Sequence, residues 1–459
     1  MEMTSLAEYD PQPGELIEFR VTESSSDIAA KAAVHPAPLS HLQENHVRRR
    51  LANDRAGNPQ APWLGVHFDL PGRLDATAMA TALAEWVRRH TTLLTWFAAR
   101  GDGFERHAVA PDSVGFVPES RGDLSGQAVR DFLQVRLVPA TDPTRWPPLL
   151  ACAVVRDMSS TVILAIDHAH TDGLSLQAAF SELTACYEGR GARLPEVGSY
   201  VDFCRLDRER SARLDAGSPE VARWADFLRA GLPLGPVELG VEPGRMYRTT
   251  AIGLDVFEPA EADAFGRACK TAGVGFSAGM LAALAVTGHR LSGQETYRAL
   301  VTVHTRDEPR WERAHGWFIN TVPVELPATG ETFERVLEGA GEALARAGEL
   351  RALTPMRLAE LLPDHHIAHL GTTQTPPLVS YLDLRHAPAA RDFASSNVGF
   401  LTGEGRAQGL HLWLNRTWER TYLRIDHPDT PTARTTVPHF AKLLRSTLRE
   451  LAGAGAGET

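Results

Sequence analysis

A histidine is the side chain whose charge changes nearest to neutral pH, and a nearby carboxylate can hold such a residue in place. The segment Asp167-His168-Ala169-His170-Thr171-Asp172-Gly173 offers both. It follows the apolar run Thr161–Ile166 and precedes a stretch with Leu176, Phe180, Leu183 and Tyr187 at helical spacing, so it occupies a strand-to-helix junction. A histidine leaving a strand end projects into whatever cleft that edge faces. There it can take a proton from a hydroxyl or amine that attacks an acyl carbonyl. Asp172, inside a turn, can fold back to fix the local backbone, and Gly173 is expected to tolerate the tight geometry. The chain holds 18 histidines, so one histidine alone carries little information and ordinary turn-forming polar residues are the competing account.

The two histidines of the segment have different expectations. Ala169 separates them, and on a continuing strand both imidazoles would share a face. The turn at Thr171-Asp172-Gly173 breaks that alternation. His168 is therefore expected to reach the site while His170 packs behind it. Two other patterns are weaker. Gly275-Phe276-Ser277-Ala278-Gly279 matches the G-x-S-x-G nucleophile elbow, which needs a strand before its serine. The residues before it, from Glu258-Pro259 to Lys270, read as helix, so Ser277 is expected to cap the following helix. His365, His366 and His369 have helix-compatible spacing for a metal, but no third ligand is evident and Pro363 and Gly371 point to a loop. No metal site is expected. Phosphate-loop, dinucleotide-loop and HExxH patterns are missing from the sequence.

These residues sit in 459, of which 43% are hydrophobic and 23% charged, a composition that excludes collagen-like and wholly disordered chains. Forty-seven Lys+Arg against 57 Asp+Glu give a net charge of −10, which disfavours nucleic acid as a partner. Cys152, Cys186, Cys204 and Cys269 form no CxxC pair and read as free thiols in a reducing compartment. The N-terminus lacks an apolar signal core, and the longest apolar stretch, Val274–Val286, falls short of the roughly 20 residues that span a bilayer. No membrane span and a cytoplasmic location are expected.

The positioning elements follow from periodicity. A strand is expected at Leu16–Val21, a Ser-rich turn at Ser24–Ser26, and helices near Ser40–Ala52 and from Asp75 to Arg89. Leu149–Arg156 and Thr161–Ile166 read as a hairpin about Asp157–Ser160. The stretch Gly231–Gly244 holds four Gly and three Pro and reads as a linker. Beyond it come a strand at Thr249–Val256, a helix from Pro259, a buried helix through Ala278–Leu291, strands at Tyr297–Val303 and Ile319–Leu326, and a hairpin of Leu410–Leu414 with Tyr422–Asp426. The tail Ala452–Thr459 is expected to fray. The division is a first subdomain at 1–230, a linker at 231–244 and a second subdomain at 245–459. Each half mixes helices and strands, giving an α/β (α+β) class.

Four ordered stretches carry a resemblance. His168-x-x-x-Asp172-Gly173 after a strand resembles the HHxxxDG motif of nonribosomal-peptide condensation domains and the HxxxD of chloramphenicol acetyltransferase and polyketide-associated acyltransferases. Leu39-Ser40-His41-Leu42-Gln43 is similar to the family's L-S-x-x-Q. Arg89-His90 through Phe97 resembles R-H-E-x-L-R-T-x-F, and Gly316-Trp317-Phe318-Ile319-Asn320 through Pro323 resembles G-x-F-x-N-x-x-P. Gly198–Cys204 and Asp167–Gly173 look like the branch that esterifies trehalose. Asp167 replaces the first His of HHxxxDG, Leu94 replaces an Arg, and only Asn397-Val398-Gly399-Phe400 remains near the D-F-G-W-G position.

The resemblance implies a chloramphenicol-acetyltransferase-like pseudo-dimer of two similar subdomains, V-shaped, with a central active-site tunnel. It implies a free-standing, monomeric enzyme without cofactor that takes an acyl-CoA or acyl-carrier-protein thioester and forms an ester on a hydroxyl of a sugar, trehalose among them, or of a polyketide-type product. His168 would be the general base and Asp172 a structural residue in an ion pair, with Gly173 beside it. Asp167, His170, Arg306 and Asn320 would support them. Arg306 lies where the family places the partner of Asp172, with Arg310 and Arg313 close in sequence as alternatives. Two other readings stay open at this point: a condensation enzyme forming an amide or ester from a carrier-bound acyl group, and a non-catalytic carrier-docking protein.

Overall fold

Ser40, Asp75, Ser125 and Asp172 each stand just before a helix and each accepts a backbone N–H of its first turn, from Gln43, from Thr77 and Ala78, from Ala128 and from Ser175. Such caps satisfy donors that a helix leaves unpaired, at about 1 kcal/mol each. The computed structural model describes residues 2–57, 62–233, 235–329, 333–362 and 376–454. His365, His366 and His369 lie outside the described residues, as do 455–459 of the tail.

The chain begins with β1 (Met3–Ser5), β2 (Gly14–Val21), α1 (Glu23–Ala30), β3 (Val34–His35), α2 (His41–Arg55) and β4 (Trp63–Pro71). Next come α3 (Ala76–Arg89), β5 (Thr95–Arg100), β6 (Gly103–Ala108), β7 (Phe116–Leu124), α4 (Gly126–Ala140), β8 (Leu149–Val155) and β9 (Ser159–Asp167). After a single 3-10 turn at His168–His170 follow α5 (Gly173–Tyr187), α6 (Tyr200–Ala212) and α7 (Pro219–Arg229). Then come β10 (Tyr247–Phe257), α8 (Pro259–Thr271), α9 (Phe276–Ser292), β11 (Thr296–His304), β12 (Ile319–Pro327), α10 (Phe333–Glu349) and α11 (Pro355–Leu361). The chain closes with β13 (Leu378–Asp383), β14 (Gly399–Thr402), β15 (Arg406–Ala407), β16 (His411–Arg416), β17 (Thr421–Pro428) and α12 (Ala433–Ala454). The α/β class expected from the sequence is the class observed.

Two compact units result. The first comprises Met1–Arg210 with two later segments, Arg306–Phe318 and His386–Gly405. Its main sheet has the order β1-β14-β4-β9-β8-β2-β7, and β3-β6-β5 form a small second sheet. Strand β9 is paired on both sides, with Trp63 of β4 opposite Asp167 and Leu149 of β8 opposite Ile166. All seven residues of β8 are buried, as are all but the first of β9. Each such Val, Leu or Ile contributes about 1.5–3 kcal/mol. The last residue of β9 therefore leaves a rigid sheet centre, which fixes where His168 begins.

The second unit comprises Ser211–Thr305, Ile319–Arg385 and Arg406–Thr459. Its sheet has the order β12-β11-β13-β16-β17-β10-β15. Met280, Leu281 and Leu284 of α9, Val336, Leu337 and Ala340 of α10, and Phe440 and Leu444 of α12 form much of its core.

Three expectations need correction. The breaker-rich stretch from Gly231 lies inside the second unit, because α7 packs Val221, Trp224, Phe227 and Leu228 into that unit's core. Ser24–Ser26 are helical, since Thr22 accepts from Ser25 N and starts α1. Ser277 does not cap α9; Gly275 holds that place, without a side-chain cap. The G-x-S-x-G string joins two helices. Its second glycine has a packing reason, since a Cβ on Gly279 would lie 2.4 Å from Cys269 Sγ. All four cysteines are buried and free. Among the described residues no single helix is long and apolar enough to cross a membrane.

Candidate active site

Two aspartates build the turn that carries His168. Asp167 accepts the N–H of Ala169 at 2.8 Å and so caps the 3-10 turn. Asp172 accepts the N–H of Ser175 at 2.8 Å and caps α5. The four-residue spacing is thus one 3-10 turn plus one helix cap, a local geometry those two side chains specify. Gly173 opens α5 and is not among the glycines with positive φ, so the expected need for a strained glycine is not met. The caps make the turn instead.

Asp172 does more than cap. Arg306 Nη1 donates to its Oδ2 at 2.8 Å and Nη2 to its Oδ1 at 3.0 Å, a bidentate fork, and Phe318 N donates to Oδ2 at 2.9 Å. Burial pushes the Asp172 carboxyl up, but the Arg306 charge and its hydrogen bonds outweigh this and hold it below the usual range. Arg310 pairs with Glu308 instead, at 2.9 Å, and Arg313 is exposed. Ser175 Oγ completes the clamp, donating to Gly316 O at 3.0 Å and accepting from Gly316 N at 3.1 Å. Tyr200 OH donates to Trp317 O at 3.0 Å. These bonds set the indole of Trp317 against His168, with ring centres 4.4 Å apart.

His168 is partly exposed. Its Nδ1 is enclosed, with no partner beyond its own backbone, which leaves Nε2 as the open ring nitrogen. Burial first, and then the positive charge of His46, push its imidazole below the ordinary histidine value, against the pull of Asp167 and Asp172. A neutral imidazole with one open nitrogen is the form that accepts a proton.

His170 is fully buried. Its Nδ1 sits 3.0 Å from Thr92 O and 3.1 Å from Thr92 Oγ1, and its ring stacks on Phe97 at 5.0 Å. Burial pushes it down to about 4. Asn320 lies in the second unit, where its Nδ2 donates to Arg351 O at 2.9 Å and Leu353 O at 3.0 Å. Its amide is spent on main chain.

The other sequence motifs hold this turn and the helix that follows it. Ser40 and Gln43 form a capping box on α2, and Gln43 Nε2 donates to Ala169 O at 2.8 Å. Arg89, the last residue of α3, and His90 just after it donate to the buried Glu182 of α5, at 3.2 and 2.7 Å. Sequence reasoning missed His46, whose Nε2 lies 3.0 Å from Asp167 Oδ1. Its place on α2 was readable, one helical turn after the capping Gln43 and on the same face, but its pairing with Asp167 was not.

The Condensation domain family model matches residues 35–353. The chain belongs to the condensation-domain family. Among curated relatives, acyltransferase PapA3 of Mycobacterium tuberculosis is 26% identical over 98% of this chain and 97% of its own length. The 2'-acyl-2-O-sulfo-trehalose (hydroxy)phthioceranyltransferase PapA1 of Mycobacterium bovis is 27% identical over 100% of this chain and 90% of its own. A solved PapA2 acyl transferase superposes with a TM-score of 0.90 at 25% identity, covering 98% of this chain and 100% of the other. The first condensation domain of the calcium-dependent antibiotic synthetase shares the fold, with a TM-score of 0.68 at 20% identity over 93% and 97%. This condensation-domain protein is an acyltransferase.

Proposed function

We propose that the chain moves an acyl group from a CoA or acyl-carrier-protein thioester to a sugar hydroxyl, trehalose or a substituted trehalose, to form an ester. The observation that carries the reading is the open Nε2 of His168 on a turn braced by two capping aspartates. Two relatives along nearly the whole chain are named for trehalose esterification, PapA1 and the trehalose-2-sulfate acyltransferase PapA2 of Mycobacterium bovis. In this reading His168 Nε2 takes the hydroxyl proton as the oxygen attacks the thioester carbonyl. Fixed dipoles steady the tetrahedral oxyanion, the C–S bond breaks, and the proton passes to the thiolate. The chemistry needs no metal or cofactor beyond the thioester. Asp172 stays ionised and shapes the site through Arg306 and Phe318 rather than by proton transfer.

The test is an intact-mass survey of products after mixing the purified protein with palmitoyl-CoA and either trehalose or an amine of matched size. A trehalose monoester is expected, and His168→Ala should lower its formation by about two to four decades. Product on the amine alone, or undiminished ester formation by His168→Ala, would overturn the proposal.

A further inference from the structure

The neighbourhood of His168 contains a second imidazole that the reaction above does not use. His46, on α2, has little exposure, and its Nε2 is held by both carboxylate oxygens of Asp167, at 3.0 and 3.1 Å. Asp167 is itself fully buried and anchored by Ala169 N at 2.8 Å. The His46 ring centre lies 6.4 Å from that of His168 and 5.6 Å from that of Trp317, edge-on to the indole. Since Trp317 is 4.4 Å from His168, the three rings form one cluster. A buried carboxylate that accepts from an imidazole N–H fixes the ring's orientation and favours a positive charge there. The two imidazole centres are 6.4 Å apart, close enough for a charge on one to act on the other.

We propose that His46, anchored by Asp167, is a positioning residue that keeps His168 uncharged and ready to accept the acceptor's proton. The inference rests on the reading of His168 as general base. Two imidazoles this close in a partly dry site do not readily carry a proton at once, so positive charge at His46 works against positive charge at His168. The groups facing His168 are His46 from α2, Asp167 and Asp172 from its own loop, and Arg306 behind Asp172; Arg50 of α2 also approaches Asp167, with its Nη1 3.9 Å from Oδ2. Arg306 is committed to Asp172 through both terminal nitrogens. His46 is the group of α2 that, after burial, lowers the His168 imidazole, against the pull of Asp167.

The experiment is the pH dependence of kcat/KM for palmitoyl-CoA with trehalose, using the full chain. In the wild type the acid limb should fall below the ordinary histidine value. His46→Gln keeps a donor for Asp167 but no charge, and should move that limb up by about half to one pH unit. His46→Arg keeps charge and pairing and should leave the limb in place, whatever happens to kcat. An unmoved limb in His46→Gln, or an equal shift in His46→Arg, would overturn the proposal. His46→Asn is the second neutral variant. If neither neutral variant folds, the His168 imidazole resonance in His46→Arg decides: it should lose its proton below the ordinary histidine value, as in the wild type, and a rise to that value or above refutes the idea. His168→Ala separates the two readings. An active His168→Ala removes the base assignment itself, while an inactive one beside an unmoved limb in His46→Gln removes only the role of His46.

Discussion

At the scale of single residues, His168 and His170 show how two side chains two positions apart are given different work. The 3-10 turn rotates them away from the shared face a strand would have imposed, so that His168 keeps an open nitrogen and His170 is enclosed. His170→Ala would leave a cavity against Phe97 and free the Thr92 carbonyl from its partner. A loss of about 2–4 kcal/mol in stability is expected, read from denaturant midpoints, with turnover in the folded fraction within about tenfold of wild type. A stable but inactive His170→Ala would mean the histidines have been assigned the wrong way round. This difference was legible in the sequence because turn residues follow His170 directly. The role of His46 was not, since its partner Asp167 is 121 residues away and no local pattern joins them.

At the scale of elements, the site depends on how tightly the segment Arg306–Phe318 is drawn onto α5 and α6. Ser175 and Asp172 bind it from α5 and its cap, and Tyr200 binds it from α6. The aromatic cluster of Tyr200, Phe203, Trp311 and Phe318 closes around it. Gly316 is the point of nearest approach: a Cβ there would lie 2.3 Å from the Tyr200 ring, which is itself fully buried and cannot yield. Gly316→Ala should therefore cost about 1–3 kcal/mol by overpacking and shift Trp317 off His168, lowering kcat more than it changes KM. Thermal unfolding and steady-state kinetics check this together, and a variant matching wild type in both would show that the clamp tolerates displacement. Most of the helices and strands around this segment were readable from periodicity and caps. The clamp was readable only as a motif, because a glycine's packing reason lies in the residue it touches, not in its own neighbourhood.

At the scale of the whole molecule, the sequence suggested one break near Gly231, whereas the chain returns twice to the first unit, at Arg306–Phe318 and His386–Gly405. Breaker density marks where a chain turns, not which core the next helix joins, and α7 joins the second core through Trp224 and Phe227. The first unit's stability has a similarly non-local basis in Glu182. This carboxylate accepts from Trp86 Nε1 at 3.1 Å, Arg89 Nε at 3.2 Å and His90 Nε2 at 2.7 Å, joining α3 to α5. Burial would raise its pKa, but His90 and then Arg89 and His315 draw it down to about 2 from an unfolded value of 4.5. A carboxyl whose folded pKa is depressed contributes stability that is present above the unfolded value and lost as pH falls toward the folded one. The window is therefore pH 4.5 down to about 2, and the contribution at neutral pH is about 3 kcal/mol. Glu182→Gln keeps the shape and an acceptor for Trp86 but has no charge to lose. Its denaturant midpoint should lie well below wild type at pH 7, and the gap should narrow steadily below pH 4.5 as the wild-type carboxylate takes up its proton. Curves that stay parallel from pH 7 to pH 3 would show that Glu182 stabilises the fold by packing and hydrogen bonding alone, and not through its charge.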